Sequence, residues 1–121
     1  MATTDEILSS AKALISNPDR WTKGAFARDK HGQPTGSSSD RAVCWCARGA
    51  VRNFDEDSRV YLNGKAYAER LLDAAAGCEM ADFNDTHDHA NVMAVFDKAI
   101  KLHADAMSRF DEAAKGDQSC D

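Results

Sequence analysis

The chain has 121 residues, 20 acidic against 15 basic side chains, a net charge of −5 and 43% apolar residues. That length fits one domain with a real core, and the acidity disfavours a general nucleic-acid coat while leaving room for a local basic patch. No apolar run approaches the roughly eighteen residues of a membrane span, and MATTDEILSS lacks the basic-then-apolar pattern of a secretory leader, so a cytoplasmic protein without membrane contact is expected.

The first helix is the plainest element. Thr3 and Glu6 fit a capping box, and Ile7, Leu8, Ala11, Leu14 and Ile15 follow at helical spacing. Asn17-Pro18 ends it, because proline disfavours helix in the residue before it. The stretch WTKGAFARDKHGQPTGSSSD has no helical period, and its DKHG core predicts a turn or short hairpin. Gly36 to Ser39 reads as a loop tip leading to Asp40 as the next N-cap.

A second helix is expected from about Arg41 to Phe54. Val43, Cys46, Ala47, Ala50, Val51 and Phe54 would share a stripe about 140° wide, with Arg41, Trp45, Arg48 and Arg52 opposite. Asp55, Glu56 and Asp57 then form an acidic loop. A third helix follows Asn63-Gly64, burying Tyr67, Ala68, Leu71, Leu72 and Ala75 and stopping at Gly77 as its C′ residue. The last and longest helix starts near Thr86 or Asp88, with a stripe of Val92, Phe96, Ile100, His103, Met107 and Phe110. The expected fold is mainly α: a compact bundle of about four helices with at most one small β-hairpin after the first. Residues 1–115 would form this single domain and residues 116–121 a disordered tail.

Four cysteines, Cys44, Cys46, Cys78 and Cys120, in a chain of this size and setting point to reduced thiols. On a helix, Cys44 and Cys46 would point about 200° apart and bridge neither each other nor one metal.

Three groups could carry chemistry. Trp45 with Arg41, Arg48 and Arg52 could stack and fork onto an anion or nucleotide; alternatively the segment from Trp21 to Phe26 covers Trp45, and local acids pair the arginines. Gly49 would let another backbone approach closely. Cys46 near a helix start, with His89 and Asp85, has the residue types of a cysteine nucleophile, although a thiol in an apolar stripe is usually inert. Asp85, His87 and His89, alternating as in an extended segment, could hold a metal together with Cys46; the plainer reading makes Asn84, Asp85 and Thr86 a turn and helix cap, with His89 at the core edge. His103 is expected at a boundary or an oligomer contact. No P-loop or dinucleotide glycine motif occurs, and no cofactor is expected.

Taken together, WTKGAFARDKHGQP, AVCWCARGAV and FNDTHDHANVMAVFDKAI resemble a family of small bacterial and phage proteins of unknown function. Its patterns are W-x-x-G-A-x-A-x-D-x-x-G-x-P, W-C-A-x-G-A, and W-N-D before V-x-x-x-x-D-x-A-I. They fall here on Trp21, Gly24, Ala25, Asp29, Gly32 and Pro34; on Trp45, Cys46, Ala47, Gly49 and Ala50; and on Asn84, Asp85, Val92, Asp97, Ala99 and Ile100. Phe83 stands where the family has tryptophan, and the helix beyond Leu102 is particular to this chain. The resemblance implies no assigned activity; it implies an accessory protein, host takeover and anti-defence being frequent roles. The expected function is a non-enzymatic module that binds another protein, or a second copy of itself, through the last helix. If the second helix packs against the start of the last, Trp45, Cys46, Gly49, Asn84 and Asp85 meet in either a packing nucleus or a pocket.

Overall fold

The computed structural model describes residues 3–54 and 67–119, with side chains as far as Ser108. The acidic run Asp55–Asp57, the Asn63-Gly64 helix entry, Cys120 and the Phe110 side chain lie outside the described residues.

Helix α1 spans Thr4–Leu14, and the Thr3 hydroxyl accepts the Glu6 N–H at 3.2 Å, as the capping pattern requires. Asn17 ends this segment and caps a short 3₁₀ turn, Pro18–Arg20, by accepting the Asp19 N–H. A hairpin follows: β1 (Ala27–Arg28) pairs antiparallel with β2 (Pro34–Thr35), Ala27 opposite Thr35. Asp29 organises its turn by accepting the N–H groups of His31 and Gln33, with Gly32 at φ 78°. Those donors, that of Gln33 foremost, hold the Asp29 carboxyl below its ordinary range.

The second helix starts later than its periodicity suggests. Residues Cys44–Trp45 form β3, which pairs with the other edge of β1, and α2 covers only Ala47–Phe54. The Val43 N–H donates to Arg28 O and the Cys46 N–H to Phe26 O, so the backbone here is satisfied by the hairpin rather than by a helix. Valine and tryptophan suit that extended geometry. Asp40 therefore caps nothing helical; Ser39 makes the turn instead, its hydroxyl accepting the Arg41 N–H. Val43, expected in the buried stripe, is 47% exposed, whereas Ala47, Ala50 and Val51 are buried as expected.

Helix α3 (Tyr67–Ala76) buries Ala68, Leu72 and Ala75 and closes at Gly77, φ 77°, whose N–H reaches Asp73 O. Tyr67, expected inside, is half exposed. A short helix that the periodicity did not suggest, α4 (Met80–Thr86), comes next. It places Asn84, Asp85 and Thr86 inside a helix, so they do not form the expected turn and cap, and Asp85, His87 and His89, split between α4, its C-cap and the start of α5, do not form one extended segment. The cap of the last helix, α5 (His89–Ser119), is Asp88, which accepts the Asn91 N–H at 2.9 Å.

The fold is thus mainly helical, with five α-helices among the described residues and one small three-stranded sheet in the order β2-β1-β3. Leu8 of α1 and Ile15 at its C-cap, Val51 of α2, Leu72 of α3, Met80 of α4 and Phe96 of α5 meet in one fully buried cluster. Truncating Leu8 or Phe96 there would remove about 3–5 kcal/mol. At the periphery Lys12 pairs with Asp97, tying α1 to α5.

Candidate functional site

Asn84 is the polar residue around which the Trp21, Cys46 and Asp85 motifs gather. It is 1% exposed, so its carboxamide must be satisfied within the protein. Its oxygen accepts the Trp21 indole N–H at 2.7 Å and the Ala47 backbone N–H at 3.0 Å, and its Nδ2 donates to Thr22 O at 3.0 Å. One side chain of α4 thereby fixes the loop after the 3₁₀ turn and the first turn of α2. The Ala47 N–H is one of the donors that a helix start leaves without an intrahelical acceptor.

Cys46 deals with another. Its Sγ accepts the Gly49 N–H at 3.3 Å, an N-cap geometry with sulfur in place of a hydroxyl. Burial pushes this thiol above its ordinary value, outweighing the opposing effect of the Gly49 and Arg48 N–H groups. A neutral thiol used as a cap is a poor nucleophile. Gly49 itself is required by packing: a Cβ there would lie 1.8 Å from Phe26 O, the close backbone approach that its position suggested.

Beside this nucleus lies a cleft of about 310 Å³, lined by Gly24–Phe26, Cys46, Arg48, Ala81 and Asp85. Asp85 Oδ1 accepts the N–H of Gly24, which has φ 78°. The motifs therefore form a packing nucleus and a pocket side by side.

The arginine and tryptophan group is dispersed. Trp45 is buried, bridged to Trp21, and its Nε1 donates to Ser37 O. Arg41 lies in a different recess, with Asp29, His31 and Asp40. Arg48 and Arg52 do stay together, but on Glu69: their Nε groups lie 2.7 and 3.2 Å from Glu69 Oε1, and both guanidiniums lie over the Phe26 ring. Glu69 is fully buried. It was not anticipated as a partner, yet there was a signal: an acid three residues before Leu72 falls on the inner face of α3.

The histidines are also separate. His89 Nε2 is 2.6 Å from Ile15 O and its ring meets Trp21 edge-on. His87 stacks on Phe83 at 3.7 Å, with Nδ1 3.0 Å from Phe83 O. Neither lines the cleft that Cys46 and Asp85 share. Among the described residues no three His, Cys, Asp or Glu side chains converge as a metal set would. Cys44, Cys46 and Cys78 are free thiols. His103 packs edge-on against Tyr67, 3.7 Å from Asp5.

A helical body, a minimal sheet and one buried asparagine joining three segments define a small α-rich domain. The chain belongs to DUF6197, a family of unknown function that matches residues 1–102. No match to a curated protein or to a solved structure was found.

Proposed function

We propose that this protein is a non-enzymatic interaction module, a bacterial or phage accessory protein of the cytoplasm, that self-associates through the distal half of α5. One observation carries the reading. The family match stops at Leu102, yet α5 continues to Ser119, and every side chain from Ala104 to Ser108 is exposed, Met107 by 51%. The part beyond Leu102 extends about 25 Å at 1.5 Å per residue.

A helix of that length is marginal in water without packing, which supports a partner for it. Along the segment the acids Asp105, Asp111, Glu112 and Asp117 alternate with Arg109 and Lys115. Two antiparallel copies can therefore set opposite charges against each other, whereas a segment of one sign would repel itself. The free thiols support a reducing compartment, and among the described residues no helix is long and apolar enough to cross a membrane.

The test is sedimentation equilibrium of the intact chain beside one truncated after Leu102. The intact chain should be dimeric and the truncated one monomeric, with the same near-ultraviolet signature of the tryptophans. An intact chain that stays monomeric across the micromolar range, or a truncated one that stays dimeric, would overturn the reading.

A further inference from the structure

We propose that the cleft beside Cys46 binds a free α-amino acid with an apolar side chain, its carboxylate on Arg48 and its ammonium on Asp85. Two charged groups, Arg48 and Asp85, line this cleft. Arg48 uses Nε on Glu69 and lays its guanidinium over Phe26. Among the described residues its two terminal nitrogens have no hydrogen-bond partner, although the residue lines the cleft. Asp85 uses Oδ1 on Gly24 N–H and, at 3.4 Å, on Asn84 Nδ2, while Oδ2 has no partner among the described residues.

Arg48 and Asp85 line the same recess, yet they form no ion pair with each other. Each is anchored from behind, Arg48 by Glu69 and Asp85 by Gly24, so neither can swing across to the other without breaking a bond. A guanidinium fork is suited to a carboxylate, and a carboxylate oxygen to an ammonium. A ligand with a single charge would engage one of the two groups and leave the other, exposed Asp85 or half-buried Arg48, to solvent alone. An α-amino acid zwitterion engages both, its ammonium and carboxylate being attached to one carbon.

The remaining lining is apolar or neutral. Ala25, Phe26 and Ala81 offer carbon surface, and the Cys46 thiol, kept protonated by burial, brings no competing charge. The volume of about 310 Å³ is at the small end of ligand pockets, which suits a single amino acid. This inference is independent of self-association, since none of these residues lies on the distal part of α5.

The experiment is a titration of the ¹⁵N-labelled intact chain with L-leucine, isocaproate (leucine without its amine) and isoamylamine (leucine without its carboxylate). L-Leucine should move the amide signals of Gly24, Phe26, Ala81 and Asp85 saturably, and the two single-charge probes should bind about tenfold or more weakly. Asp85→Asn keeps an acceptor for the Gly24 N–H and removes the charge, so its spectrum should stay native while L-leucine affinity falls about tenfold or more. Arg48→Lys keeps a cation beside Glu69 without the fork and should weaken binding similarly. No saturable shift with L-leucine, equal binding of isocaproate, or undiminished binding by a natively folded Asp85→Asn would each overturn the proposal.

Discussion

Around Asn84, one buried carboxamide serves Trp21, Thr22 and Ala47, and each partner would be left unsatisfied without it. Along α5 from Ala104 to Ser108, every side chain is exposed. The first region is held by directional bonds in a dry setting, where every member depends on the others. The second keeps its helical hydrogen bonds while its side chains face solvent. The contrast assigns different tasks. The nucleus makes the body possible and is intolerant of change, while the distal helix is free to change unless something binds it.

Substitutions can break this contrast at either end. The largest effect is expected for Gly49→Ala, whose methyl would lie 1.8 Å from Phe26 O, a backbone atom that cannot step aside without dismantling β1. The variant should fail to give a cooperative thermal transition. Glu69→Ala comes next, because it leaves Arg48 and Arg52 beside a hole where a buried carboxylate stood; urea denaturation should read a loss of about 3–5 kcal/mol. Asn84→Ala orphans the Trp21 and Ala47 N–H groups and should cost about 3 kcal/mol, together with a red shift of Trp21 emission as water reaches the indole. Met107→Lys, at an exposed position, should leave the stability of the body within about 0.5 kcal/mol.

A smaller effect concerns pH. The folded Cys46 thiol titrates above its ordinary value of 9.0, so the folded state holds its proton where the unfolded chain has lost it. The contribution is fully present below that ordinary value and is lost as pH rises above it. Stability measured by urea should be level on this account at neutral pH and decline in the alkaline range, and Cys46→Ala should lack that part of the decline. At neutral pH, exposed Cys78 should react with a disulfide reagent well before Cys46.

Much of the fold was legible because local chemistry and packing agree there. The Thr3 cap, the Asn17-Pro18 stop, the DKHG turn and the Gly77 terminus each follow from one or two residues with a fixed backbone preference. The segment from Arg41 to Cys46 misled because its apolar positions fit a helical stripe, while its hydrogen bonds are taken by β1 and the residue before it, fifteen and more positions away. Helix α4 was hidden for the opposite reason: at seven residues it is too short to display a period.

At the site, sequence reasoning singled out Cys46, Gly49, Asn84 and Asp85, all of which do gather. It grouped Trp45 with the arginines only because it placed them on one helix. Glu69 and Phe26, which hold Arg48 and Arg52, come from elements distant in sequence, and a single-element pattern has no means of pairing them.

The claim that the body ends and an association surface begins past Leu102 is tested most directly by sedimentation equilibrium of intact Met107→Lys beside the unmodified chain. The unmodified protein should be dimeric and the variant predominantly monomeric, the two having matching unfolding midpoints once referred to the monomer. Identical dimer dissociation constants in the two proteins, or a monomer in both, would contradict the account.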